Sequence, residues 1–186
     1  LPNSSLLVLD EAYIDLAPNG TAPLLRPETD NVIRLRTFSK AYGMAGARVG
    51  YAIGPKPLIS AFDKMRNHFG LSRISQAGAL AALKDQAYVA AIVQKVAKSR
   101  ETLAKIAQDN SLIPLTSATN FVTIDCGGDG DFARAVLEQT VARSVFIRMP
   151  AVAPMNRCIR ISCGDTAAMA LVATVLPQAL KSARSG

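Results

Sequence analysis

Thr37-Phe38-Ser39-Lys40-Ala41-Tyr42-Gly43-Met44-Ala45-Gly46-Ala47-Arg48-Val49-Gly50 places one amine between hydroxyl side chains and a glycine-rich turn, with a guanidinium eight residues on. Lysine Nζ adds to an aldehyde to form a Schiff base. Thr37 and Ser39 offer hydroxyls, and Arg48 offers a planar donor fork that matches phosphate. Gly43 and Gly46 let backbone approach a ligand closely. Together these groups suit a phosphorylated aldehyde.

Upstream, the apolar run 6–9 ends in Asp10-Glu11-Ala12-Tyr13. A continuous apolar run of this length predicts an interior strand, buried on both faces. A carboxylate at its end can hold a pyridine nitrogen protonated, although a helix cap or a surface acid is the commoner use of such a residue. Strands are also expected over 31–37 and 49–54, and a helix over 56–66. The stretch 74–108 is rich in Ala, Leu, Gln and Lys and predicts a long helix, broken near Asp85-Gln86. Beyond Pro114 the pattern predicts a strand over 120–125, a turn at Gly127-Gly128-Asp129-Gly130 and a helix over 131–142. Strands over 145–149 and 158–162 and a helix over 166–183 follow. Asp131 and Asp165 are the expected caps of the last two helices. The glycine cluster is not a phosphate loop, because no Gly-Lys-Ser/Thr follows it.

The stretch 37–50 and Asp10-Glu11-Ala12-Tyr13 resemble the fold-type-I pyridoxal-phosphate (PLP) aminotransferases, most closely the histidinol-phosphate aminotransferase group. The resemblance implies an α/β fold: the end of the large PLP-binding domain (1–70), connecting helices (71–109) and a small α+β C-terminal domain (110–186). It also implies PLP as cofactor, with Lys40 matching the Schiff-base lysine. Asp10 matches the partner of the pyridine nitrogen, and Tyr13 the partner of the phenolic oxygen. Thr37, Ser39 and Arg48 match the phosphate ligands. In Cys158-Ile159-Arg160-Ile161-Ser162-Cys163-Gly164, Arg160 matches the arginine that grips the substrate carboxylate. Arg148 is a weaker candidate for the same site.

The implied activity is transamination between an amino acid and a 2-oxo acid or phosphorylated keto substrate, in histidine biosynthesis, by a cytoplasmic homodimer. A decarboxylase acting on threonine phosphate shares every cofactor residue and is the alternative within the family. A non-catalytic fragment of the PLP fold is the alternative outside it. The segment that precedes these motifs in the family is not in this sequence, so the chain alone is expected to be a poor transaminase with an exposed first strand.

Composition bounds the rest. The 186 residues are 49% hydrophobic and carry a net charge of +7, which is compatible with a globular chain and with anionic ligands. The basic residues form no run and few aromatics accompany them, which argues against a nucleic-acid partner. No apolar run approaches a membrane span, and Leu1-Pro2-Asn3-Ser4-Ser5 lacks the basic start of a signal peptide. Cys126, Cys158 and Cys163 show no metal-ligand spacing, so no metal site is expected, and their odd number fits a reducing compartment. His68, the only histidine, has no paired acid or serine motif and is read as structural.

Overall fold

The computed structural model describes residues 2 and 4–185; Leu1, Asn3 and Gly186, including the first and third residues of the terminal stretch discussed above, lie outside the described residues. The chain divides into two compact units, Leu1–Val93 and Gln94–Gly186.

The first unit holds a three-stranded sheet. Strand β1 (Leu7–Asp10) pairs in parallel with β2 (Val32–Thr37), which pairs antiparallel with β3 (Gly50–Ile53). Side chains of a strand alternate between faces. The register pairs Asp10 with Leu35, so Asp10, Leu35 and Thr37 share one face while Arg34 and Arg36 occupy the other. Helices α1 (Lys56–Phe62) and α2 (Arg73–Lys84) follow. The Ser72 hydroxyl caps α2 by accepting from Ser75 N–H. Asp85 separates α2 from α3 (Gln86–Asp109), where the sequence places the break. Val32, Ile33, Phe38, Ala41, Tyr42 and Val49 are buried, so the residues flanking Lys40 supply much of this unit's apolar interior.

One expectation fails in this unit. The first strand is not buried on both faces but exposed, as expected for the chain alone: Leu6 is 49% and Val8 51% exposed. Among the described residues β1 has a hydrogen-bonded neighbour on one edge alone, β2.

The second unit contains most of α3 and an antiparallel sheet of β4 (Ile113–Pro114), β5 (Phe121–Asp125) and β6 (Cys158–Ser162). Helices α4 (Gly130–Val141) and α5 (Thr166–Ser185) cover it. Its core joins Leu103 of α3, Val122, Ile124, Ile159 and Ile161 of the sheet, Val136 of α4 and Leu176 of α5. Burial also pushes the Cys126 thiol up to about 11, so this cysteine serves packing rather than nucleophilic chemistry.

Two local expectations are corrected here. Asp129, not Asp131, caps α4: its Oδ1 accepts from Phe132 N–H at 2.9 Å, because the helix already begins at Gly130. The stretch 145–149 makes no strand ladder but a single bridge, Arg148 to Arg160. Val145 N–H is instead taken by Thr140 O at the end of α4, and Pro150 has no N–H to continue a ladder. Asp165 does cap α5, accepting from Ala168 N–H at 2.8 Å.

Candidate active site

β1 ends at Asp10, and the chain turns at once. Asp10 Oδ1 accepts from Ala12 N–H at 3.0 Å, an Asx-type bond that bends the backbone. Ile14 N–H donates to Glu11 O at 3.0 Å, opening the short 3₁₀ turn Ile14–Leu16. Tyr13 lies between these bonds. Its ring centroid is 4.9 Å from Lys40 Nζ. Among the described residues no carboxylate oxygen comes within ion-pair distance of that amine, so the Tyr13 π-face is what meets the charge.

Lys40 is held by a loop that closes on itself. Phe38 N–H donates to Val49 O (3.2 Å) and Met44 N–H to Phe38 O (2.9 Å). Gly43 N–H donates to Lys40 O (3.0 Å), with Gly43 at φ +68°, where side chains are strained. Thr37 Oγ1 accepts from Ser39 N–H at 3.1 Å, which fixes both hydroxyl residues at the end of β2. Arg48 follows the 3₁₀ turn Ala45–Ala47 in the left-handed region at φ +52°, a conformation that costs a non-glycine residue energy. Its Nη1 donates to Ala45 O at 2.8 Å and the side chain is exposed.

Helix contacts brace this loop. Ser75 Oγ of α2 donates to Ala47 O at 2.8 Å. A Cβ built on Gly43 would lie 3.3 Å from the Tyr88 hydroxyl, and one on Gly78 would lie 3.0 Å from the end of Met44. Glycine at both positions gives these contacts room.

The structure therefore brings Asp10, Tyr13, Thr37, Ser39, Lys40 and Arg48 to one sheet end and its adjoining loops. The side chains gathered there offer a carboxylate, a phenol, two hydroxyls, an amine and a guanidinium, groups that suit a phosphorylated aldehyde. His68 is exposed, in the turn 67–70.

Arg160 belongs to the second unit. Ile159 and Ile161 are buried while Arg160 is half-buried, with its guanidinium 4.6 Å from the Phe121 ring centroid. Arg148 stands directly across from it: Arg148 N–H donates to Arg160 O at 3.0 Å and Arg160 N–H to Arg148 O at 2.6 Å. Like charges paired across strands repel. Each cation here rests against a ring, Arg148 at 6.0 Å from that of Phe146.

Sequence reasoning passed over Glu11. It is 6% exposed, and Arg34 Nε and Arg36 Nε each donate to one of its carboxylate oxygens at 2.8 Å. Burial alone would push this carboxyl up, but the two guanidinium bonds outweigh it and hold Glu11 below the usual carboxylate range. Burial pushes Asp15 up, although Arg36 lies 3.9 Å away. Burial works against the Arg36 charge, yet Glu11 and Tyr51 together raise its affinity for the proton. The alternation Arg34-Leu35-Arg36 opposite Glu11 was the available signal.

The family model for aminotransferase class I and II matches residues 2–176. A histidinol-phosphate aminotransferase of Geobacillus sp. (strain WCH70) is 37% identical over 185 residues, covering 97% of this chain and 50% of that protein. One from Bacillus pumilus (strain SAFR-032) is 35% identical over 190 residues, covering 100% of this chain and 51% of its own length. The crystal structure of histidinol-phosphate aminotransferase from Sinorhizobium meliloti in complex with pyridoxal-5'-phosphate superposes with a TM-score of 0.94 at 52% identity, covering 98% of this chain and 50% of that one. The chain thus spans about half the length of the curated relatives it matches. It belongs to the aminotransferase class I and II family.

Proposed function

We propose that the protein is a PLP-dependent aminotransferase acting in histidine biosynthesis, with histidinol phosphate and 2-oxoglutarate as the closest substrate analogy. The observation that carries this reading is the placement of Lys40 Nζ against the Tyr13 ring, in the loop that also presents Thr37, Ser39 and Arg48. The chemistry PLP supplies when bound is electron withdrawal from the substrate Cα and carriage of the amino group.

The chain's own residues do the rest. Lys40 Nζ would hold the cofactor through its aldehyde, and the same amine would carry a proton to and from the substrate as base and acid. Asp10 would keep the pyridine nitrogen protonated by its negative charge. Tyr13 would donate to the phenolic oxygen. Thr37, Ser39 and Arg48 would bind the phosphate. Arg160 takes the donor's carboxylate through its two-pronged fork, and Arg148 adds positive charge on the same face.

In this reading residues 1–70 are the end of the large cofactor-binding domain, 71–109 the connection and 110–186 the small domain. The protein works as a cytoplasmic homodimer. Among the described residues no helix is long and apolar enough to cross a membrane.

Borohydride reduction of the PLP-loaded full-length protein, followed by intact-mass and peptide analysis, tests the assignment. A pyridoxyl adduct on Lys40 is expected, with its loss and loss of turnover in Lys40→Ala. An adduct on another lysine overturns it.

A further inference from the structure

The turn that carries Asp10 and Tyr13 is tied to the strand leading to Lys40 through one residue. Glu11 N–H donates to Leu35 O at 2.9 Å, and its carboxylate receives Arg34 Nε and Arg36 Nε at 2.8 Å each. Three consecutive residues of β2, ending just before Thr37, therefore hold Glu11. Its own carbonyl accepts from Ile14 N–H and so fixes the far side of Tyr13. By the strand register, Arg34 and Arg36 lie on the sheet face opposite Asp10 and Thr37. Arg34 Nη1 also donates to Leu25 O at 3.4 Å. The charges gathered there are Arg34, Arg36, Glu11 and Asp15, which balance; Tyr51, on β3, bonds Arg36.

We propose that Glu11 is a positioning residue for the Lys40 site: it clamps the Asp10–Tyr13 turn to β2 from the reverse side of the sheet and neutralises Arg34 and Arg36 there. The role presupposes that Lys40, Asp10 and Tyr13 hold PLP as proposed above. A buried ion cluster contributes little net stability, whereas removing one partner leaves charge uncompensated. Glu11→Gln keeps the side-chain shape and adds one net positive charge behind the site. Arg34→Gln leaves the Glu11–Arg36 pair and adds one net negative charge.

The two variants thus make opposite predictions for a chromophore bound at Lys40. In the full-length protein loaded with PLP, the pH midpoint of its visible absorbance change is measured. Glu11→Gln should lower the midpoint and Arg34→Gln should raise it, each by on the order of half a pH unit or more. Displacement of the turn should also lower kcat in Glu11→Gln about tenfold, with KM changed less.

Borohydride trapping on the same wild-type sample keeps the two ideas apart. An adduct on Lys40 with midpoint and kcat unmoved in both variants, even if thermal stability falls, overturns the Glu11 role alone. Absence of an adduct on Lys40 overturns the Lys40 reading, and the Glu11 role with it. Should Glu11→Gln fail to fold, the upward shift in Arg34→Gln decides: its absence counts against the clamp.

Discussion

Gly50→Ala tests whether the sheet behind Lys40 has room to move. Gly50 pairs with Thr37 across β2 and β3. A Cβ there would sit 2.6 Å from Arg36 O and 3.6 Å from Thr37 Cα. The obstacle is backbone, so no rotamer change relieves it. Either β3 must move outward by roughly half an ångström, or β2 must yield. Overpacking of this kind costs about 1–3 kcal/mol. If the strain is released through Thr37, the same energy weakens PLP binding about fivefold to 150-fold. Gly46→Ala is the control, since a Cβ there meets nothing within 4 Å. Its stability should stay within about 0.5 kcal/mol of wild type. The assay is the urea unfolding midpoint and the PLP dissociation constant of the full-length protein. A Gly50→Ala protein that matches Gly46→Ala in its urea midpoint and binds PLP as wild type does would show that β2 and β3 are not held at this separation.

Asp10→Asn removes the charge proposed to keep the pyridine nitrogen protonated but leaves Thr37, Ser39 and Arg48 in place. Turnover should fall about a hundredfold or more while PLP affinity changes less than about tenfold; near-normal kcat would take Asp10 out of this role. Arg160→Lys keeps the charge but loses the planar fork and its stacking on Phe121. The donor KM should rise about tenfold or more with PLP binding unaffected, and an unchanged KM would exclude Arg160 from substrate binding. Acid should reach the Glu11 clamp. The folded-state carboxyl is held below its ordinary value of 4.5, so its stabilisation is present above that value and is lost as pH falls through the lowered one. Asp15, raised by burial, contributes with the opposite sign. From about pH 5 to about pH 3 the urea midpoint should fall more steeply in wild type than in Glu11→Gln; parallel slopes would argue against the ion pairs.

Local chemistry made much of this protein legible in its sequence. The helix break at Asp85, the strand over residues 158–162 and the alternation that buries Ile159 and Ile161 but not Arg160 all follow from nearest-neighbour patterning. The spacing of hydroxyls, lysine, glycines and arginine over residues 37–50 marked a candidate cofactor loop because each residue type brings one group that suits such a ligand. The cap of α4 was misplaced by two residues because Asp129 and Asp131 are equivalent in composition, and only helix geometry selects between them. The stretch 145–149 has strand composition, but Thr140 O captures the N–H of Val145, a competition no local pattern encodes.

What tertiary structure decided is whatever depends on two segments meeting. Asp10-Glu11-Ala12-Tyr13 reads as four side chains on one turn. Parallel pairing of β1 with β2 sends Asp10 and Glu11 to opposite faces and delivers Glu11 between Arg34 and Arg36. The same pairing sets the Tyr13 ring 4.9 Å from Lys40 Nζ, across 27 residues of sequence. The sequence by itself determined which chemical groups are available and in what order. Strand register decided which of them face each other, because a shift of one residue would exchange the two faces of the sheet.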